Sequence, residues 1–385
     1  MNLTNKDIRK LIQFEGTPCV SIYLPTHISS PDTMEGPIRL KNLFAETKRR
    51  LEEISPDLLE KMSKELGRIN DMLNDIPFWQ FQNHGLAIFM APSFFEYYQT
   101  PISFEEFCYV GESFNVKPLA ELLSEQTSAY VLAVNRREVH LYEVAGEKIS
   151  EKQLRNTMKS IQELTRYDDS EKQLQHHSMP KGKAAGTGTM FHGQGTGSDN
   201  KEEKKRAGEF VKKVVEGVER ELHADNTPVV LVADSYVAHL IYESNPEFNL
   251  QMEHVDENPH YISAADIHKK AKPILDKLAN ARLSNVVALY KNLTSSQKAT
   301  DDPAQVIKAA YQGRIDTLLV DTNEYVWGNF DADKQEAVLD EHRQSHDQDL
   351  ANSSVMHTLM HDGKVYAVSK SEIEHEAPMA AILRY

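Results

Sequence analysis

Between positions 201 and 223, apolar side chains recur at Ala207, Phe210, Val211, Val214, Val215, Val218 and Leu222, with Lys, Arg and Glu between them. Steps of three and four place these seven residues on one face of a 3.6-residue helix, the clearest amphipathic helix of the chain. The run Pro228-Val229-Val230-Leu231-Val232-Ala233 then predicts a buried strand, and 236–242 a short helix. Upstream, apolar runs at 129–134 and 138–144 are joined by Asn135-Arg136-Arg137 and closed by Gly146, the pattern of a β-hairpin. Strands followed by a helix and another strand predict an α/β layer.

The same alternation occupies both flanks. Thr4 with Asp7 three residues on predicts a helix start, with Ile8, Leu11 and Ile12 as its buried face. A strand at 19–24 ends at Pro25, helices are expected at 38–54 and 57–73, and strands at 84–90 and 94–99 are split by Ala91-Pro92-Ser93. Beyond residue 259, Ser263 with Asp266 starts a long helix reaching about 290, and Asp302-Pro303 opens another that ends at Gly313. A strand at 315–320, a helix at 346–361 and strands at 364–368 and 380–383 complete the pattern. The chain therefore reads as α/β, in three segments at 1–124, 125–259 and 260–385, without an internal repeat.

Composition narrows the partners. The chain has 385 residues, room for two to three domains at roughly 150 residues each. Its 43 basic and 58 acidic residues leave a net charge of −15, so any contact with nucleic acid must be a local patch. Two cysteines, Cys19 and Cys108, supply neither a disulfide framework nor a four-cysteine zinc site. No apolar run approaches the roughly 20 residues of a membrane span, and Lys6, Asp7, Arg9 and Lys10 interrupt the first residues. A cytoplasmic protein with no membrane contact is expected.

One stretch breaks the acidic background. Residues 172–198 contain no Asp or Glu, and six glycines fall between 182 and 197. The same stretch carries Lys172, Lys181, Lys183, His176, His177 and His192. Glycines let a backbone approach a ligand closely, and lysines attract phosphate, so a polyanion such as RNA suits this loop (about 176–200). A solvated Gly/Ser/Thr linker has the same composition, and composition by itself does not separate the two. Nucleotide fingerprints are absent: no Lys-Ser/Thr follows the last glycine, and Gly186-Thr187-Gly188 lacks the third glycine.

Phe191-His192-Gly193-Gln194-Gly195, lying just before the helix that starts Lys204-Lys205-Arg206, resembles the middle domain of archaeo-eukaryotic peptide-chain release factors and Pelota. The whole chain is most similar to their bacterial relatives, the bacterial archaeo-eukaryotic release factor family. The hairpin 130–144 resembles the opening strands of that middle domain, and 306–320, 363–367 and 380–383 resemble the family's third domain. The resemblance implies a ribonuclease-H-like middle domain, a ribosomal-protein-like last domain, and the ribosome with its peptidyl-tRNA as partners. It implies no cofactor and no metal.

In the family, a Gly-Gly-Gln motif promotes hydrolysis of the peptidyl-tRNA ester. Gly193 and Gln194 match its second and third residues, and His192 stands where the first glycine would be. A glutamine amide both donates and accepts, so Gln194 can position a water without ionising. Gly193 and Gly195 would permit close approach, and Lys181 and Lys183 would hold RNA phosphates. His192 could act as a base or touch phosphate. With the motif altered, the alternative is a non-catalytic ribosome- or protein-binding adaptor. The stop-codon loop of the eukaryotic and archaeal factors, Asn-Ile-Lys-Ser in type, has no counterpart, since Asn115-Val116-Lys117-Pro118 is alike in letters only. Rescue of stalled ribosomes is therefore implied rather than codon-specific termination.

Other constellations reduce to ordinary roles. His342 and His346, and His357 and His361, are spaced to share helix faces, but Arg343 stands where a zinc protease needs Glu. His176-His177 have no acid nearby to complete a metal site. Nine acids between 321 and 349 read as a solvated face, or, by the resemblance, as a docking surface for a translational GTPase. Ser235 after Asp234 lacks the glycines of a nucleophile elbow. Phe94-Phe95 and Tyr97-Tyr98 read as core.

Overall fold

A computed structural model of the chain describes residues 3–28, 35–125, 129–146, 148–155, 157–163, 198–222, 226–342 and 347–385. The chain is mixed α/β and divides into two compact units, Met1–Glu125 with Ala281–Tyr385, and Gln126–Asn280. In the first unit, β1 (Cys19–Pro25), β2 (Gly85–Ala91), β3 (Phe94–Thr100) and β4 (Phe107–Gly111) form an antiparallel sheet ordered β3-β2-β1-β4. Alternate residues serve opposite faces. Val20, Ile22 and Leu24 with Leu86, Ile88 and Met90 face Leu40, Phe44, Leu66 and Ile69 of the helices Glu35–Ile54 and Ser63–Asn74. The expected helix at 57–73 is broken at Met62 (φ −101°, ψ 12°), which is fully buried between Asp57–Lys61 and Ser63–Asn74. The Thr4 capping box forms as expected, with the Asp7 carboxylate accepting from Thr4 N at 2.9 Å at the start of Asn5–Ile12.

The unit Gln126–Asn280 is a five-stranded sheet. Its strands are β5 (Ala129–Val134), β6 (Val139–Ala145), β7 (Lys148–Lys152), β8 (Val229–Ala233) and β9 (Leu250–Asp256), ordered β7-β6-β5-β8-β9. β5, β8 and β9 run parallel, while β6 and β7 are added antiparallel by hairpins. Leu132, Val134 and Leu231 pack on the valine stripe of the helix Ser198–Glu221 and on Ser235–Glu243. Val131, Ala133, Val230 and Val232 face Ile267, Ala271 and Ile274 on the opposite side. Both faces are covered, so β5 and β8 read as unbroken apolar runs. β7 and β9, more polar edge strands, carry no such signal in the sequence.

The C-terminal part adds β10 (Ala299–Thr300), β11 (Ile315–Val320), β12 (Trp327–Asp331), β13 (Glu336–Leu339), β14 (Gln348–Asp349), β15 (Lys364–Ala367) and β16 (Met379–Leu383). They form two sheets, β10-β16-β11-β15 and β13-β12-β14. The helix Pro303–Tyr311 is capped by Asp302, whose carboxylate accepts from Ala304 N at 2.9 Å. The helix expected from 346 starts later, at Leu350, because Asp349 is its cap. Leu318, Val320, Val355 and Ala381 share one core with Ile8, Leu11, Phe89 and Phe114, so the N- and C-terminal parts of this unit are packed as a single body.

A buried polar seam runs through that body. Lys117 Nζ lies 3.0 Å from Asp349 Oδ2, both side chains fully out of solvent, and also donates to the Glu324 carbonyl. The ammonium stands 4.0 Å from the centre of the Tyr325 ring. Asn352 Oδ1 accepts from Val116 N at 2.8 Å and Lys117 N at 3.1 Å, and its Nδ2 donates to the Phe114 carbonyl at 3.1 Å. Lys117 is therefore a structural residue, in a chain segment whose letters alone resemble a codon-reading loop.

Removing one member of a buried pair strands the other. Lys117→Met is expected to lower stability by about 3–5 kcal/mol. Adding Asp349→Asn, which keeps the cap without the charge, should recover part of that loss in urea titrations. A second prediction concerns pH. His357 is held below its ordinary pKa by burial and by His361, and its ring lies 4.0 Å from that of Tyr311. A base whose folded pKa is depressed leaves the unfolded state binding more protons, so stability should fall as pH drops below about 6.5. Thermal midpoints at neutral and mildly acidic pH should differ less in His357→Phe than in the wild type.

Candidate functional site

Lys181, Lys183, His192, Gly193, Gln194 and Gly195 lie outside the described residues, as do His176 and His177. The chain that holds both ends of that stretch is described. After β7 it runs back along the helix Ser198–Glu221. Arg155 N donates to Glu221 Oε1 at 2.8 Å, and Thr157 lies on Gly217. Leu154, Met158 and Ile161 pack on the same core as the valine stripe. A Cβ on Gly217 would come within 2.3 Å of Thr157 Oγ1, so only glycine admits the strap this close. Farther on, Ile161 N donates to the Arg136 carbonyl at 3.1 Å, and the Arg136 guanidinium reaches Glu203 Oε1 at 2.6 Å. The turn Asn135-Arg136-Arg137 thus meets the chain both before residue 164 and after residue 197.

That turn also borders a cleft of about 260 Å³ lined by Asn135, Arg136, Arg137, Asp234, Asn258, His260 and Tyr261. These residues follow β5, β8 and β9, at the carboxyl ends of the three parallel strands, where open α/β sheets characteristically bind ligands. Asn135 is buried and its bonds set the wall. Its Oδ1 accepts from Arg137 N and Glu138 N, and its Nδ2 donates to Asn258 Oδ1 at 3.1 Å. Asp234 caps the helix Ser235–Glu243, accepting from the amides of Tyr236 and Val237 at 3.0 Å, and the positive helix end offsets its charge. Glu138 is engaged by His260 Nδ1 at 2.9 Å. Burial works to raise the Glu138 carboxyl, but hydrogen bonds from His260 and Asn135 outweigh it and hold the pKa below its ordinary value. Arg136 also lies over the Tyr236 ring at 5.3 Å. Sequence reading took Asn135-Arg136-Arg137 only as a hairpin link. The signal was two adjacent arginines in a tight turn of an acidic chain.

The remaining candidates are structural. Ser235 Oγ donates to Asp256 Oδ2 at 2.6 Å. His357 packs against Tyr311, while His346 lies outside the described residues. Among the described residues no group of three or more His, Cys, Asp or Glu could hold a metal ion. Both cysteines are buried, and burial pushes the Cys19 thiol up to about 12, far from a reactive thiolate. Of the acidic run, Asp347 and Asp349 are buried, whereas Asp333, Glu336 and Glu341 are exposed. Among the described residues no helix is long and apolar enough to cross a membrane.

Residues 130–314 match bacterial archaeo-eukaryotic release factor family 3. No curated protein matches the chain. Among solved structures, archaeal translation termination factor aRF1 is similar at 13% identity over 99% of this chain and 96% of its own, with a TM-score of 0.23. Dom34 of S. cerevisiae aligns at 13% identity over 78% of this chain and 73% of its own, with a TM-score of 0.35. Archaeoglobus fulgidus Pelota aligns at 11% identity over 79% and 81%, with a TM-score of 0.32. At such TM-scores these likenesses carry no weight beside the family match.

The Thr157–Gly217 approach makes a differential prediction within one helix. Gly217→Ala must push Thr157 away and is expected to destabilise by about 1–3 kcal/mol. Gly208→Ala, with nothing within 4 Å of the added carbon, should be neutral or stabilise by about 0.5–1 kcal/mol. Urea unfolding of the two variants checks it, together with limited proteolysis, which should cut Gly217→Ala faster.

Proposed function

We propose, on the premise that residues 130–314 match bacterial archaeo-eukaryotic release factor family 3, that this release-factor-like chain acts on stalled ribosomes and hydrolyses the peptidyl-tRNA ester. Gln194 positions the attacking water by donating to and accepting from it, while its backbone N–H helps hold the developing negative charge. Gly193 and Gly195 allow the main chain to approach the ester, His192 borders the water, and Lys181 and Lys183 bind RNA phosphates. The observation that carries this reading is that Gly193-Gln194 falls inside the matched span, in the longest stretch without Asp or Glu.

The held ends support it. A segment that must reach into RNA needs a rigid base, and the strap, the valine-striped helix and Arg136 supply one. Functionally we assign 1–124 to an N-terminal α/β domain, 125–259 to the hydrolytic domain, and 260–385 to docking of a translational GTPase through its exposed acids. The exposed Glu336 and Glu341, beside the exposed apolar Val338 and Leu339, suit such a contact.

The test is release of nascent peptide from stalled ribosome complexes, with candidate GTPases supplied. Wild-type protein should release peptide, and Gln194→Ala should do so at least about 100-fold more slowly. Equal rates would remove Gln194 from the mechanism. No release by the wild type would remove the hydrolase reading and leave an adaptor.

A further inference from the structure

We propose that the cleft at the carboxyl ends of β5, β8 and β9 is a second RNA-binding site, which holds a single-stranded segment with a phosphate on Arg137 and a base on Tyr261. It rests on the reading above in taking the protein to work on RNA, but it uses none of the residues assigned to hydrolysis.

Three side chains at this cleft have their binding groups free. The Arg137 guanidinium is exposed and makes no ion pair or hydrogen bond among the described residues, unlike Arg136 beside it. Tyr261 is 81% exposed, and its ring is set edge-on to His260 with centroids 5.1 Å apart, a geometry that leaves ring surface open to stacking. Asn258 Oδ1 is fixed by Asn135 Nδ2 and His260 N, which leaves its amide N–H groups without a partner among the described residues.

The acids around the cleft are already committed. Asp234 caps a helix, Glu138 holds His260, Glu203 holds Arg136, and Asp256 accepts from Ser235. Among the described residues that line the cleft, Arg137 is therefore the cation left for a ligand. A fork of N–H donors, an open aromatic face and an amide donor on one wall form the combination that takes a nucleotide strand: phosphate by charge, base by stacking, base edge by hydrogen bond. An acidic protein segment would use Arg137 but would have no need of an open ring. The position adds a reason. The same turn carries Arg136, which meets the chain on both sides of residues 164–197, so a strand in the cleft would lie at the root of the segment that carries Gln194.

The test is fluorescence anisotropy of a labelled single-stranded oligouridine with the full chain over a series of salt concentrations. Wild type should bind with an affinity that falls as salt rises. Arg137→Gln should weaken binding and reduce the slope of log affinity against log salt by about 0.7. Tyr261→Ala should weaken binding about 5-fold or more at every salt with the slope unchanged. Both side chains are exposed, and unchanged thermal midpoints would show that both variants fold. Wild-type affinity in both variants overturns the inference, as does absence of binding by the wild type. Loss in Arg137→Gln alone also overturns it, because Tyr261 would then take no base and the cleft would offer only a charge. The two readings fail separately. Peptide release that depends on Gln194, with RNA affinity untouched by the cleft variants, sinks only this one, and RNA affinity lost in both cleft variants without any peptide release sinks only the hydrolase.

Discussion

A long glycine-rich segment can do directed work only where both of its ends are held, and in this protein the holding is done by close packing rather than charge. The Arg136–Glu203 ion pair is exposed and worth at most about 1 kcal/mol. The strap, 153–155 and 157–163, is held by Leu154, Met158 and Ile161 on the core and by the absence of a side chain at Gly217. Each buried aliphatic side chain of the facing valine stripe contributes roughly 1.5–3 kcal/mol over exposure. The ion pair orients the turn; the apolar interface keeps it in place.

The other unit shows charge used in the opposite way. Lys117 and Asp349 are out of solvent entirely, where an ion pair gains little net energy but tolerates few alternatives. Every partner in the seam is specific: the carboxylate also caps a helix, the ammonium also meets a carbonyl and a ring, and Asn352 ties three backbone groups of 114–117. The seam sets the register between the N- and C-terminal parts of a common core. A purely apolar contact there would permit sliding.

Local pattern made much of this readable. The valine stripe, the Thr4–Asp7 box and Asp302-Pro303 are encoded within one or two turns of chain, and each forms as read. Elements went unread where the signal was weak. β7 and β9 are edge strands with polar faces, and β12 and β13 sit inside the acid-rich stretch, where charge masks alternation. The break at Met62 has no glycine or proline to announce it. Of the candidate chemistry, Gly193-Gln194 stands out in the sequence because the composition around it departs from the rest, and it lies outside the described residues. The cleft was not, because Arg137 and Tyr261 are separated by more than a hundred positions and meet only through the parallel pairing of β5, β8 and β9.

The amino-acid order by itself determined which stretches become helices and strands with one apolar face, the α/β class, and where the longest acid-free, glycine-rich region falls. Periodicity, capping and composition act over short distances and need no partner. Tertiary structure decided which charges are free and which are spent. Lys117, in a segment alike in letters to a codon-reading loop, is a buried structural cation, while Arg137 at a plain hairpin turn has no partner among the described residues and lies on a cleft. A charge acquires its role from the groups that surround it after folding, and those groups come from distant parts of the chain.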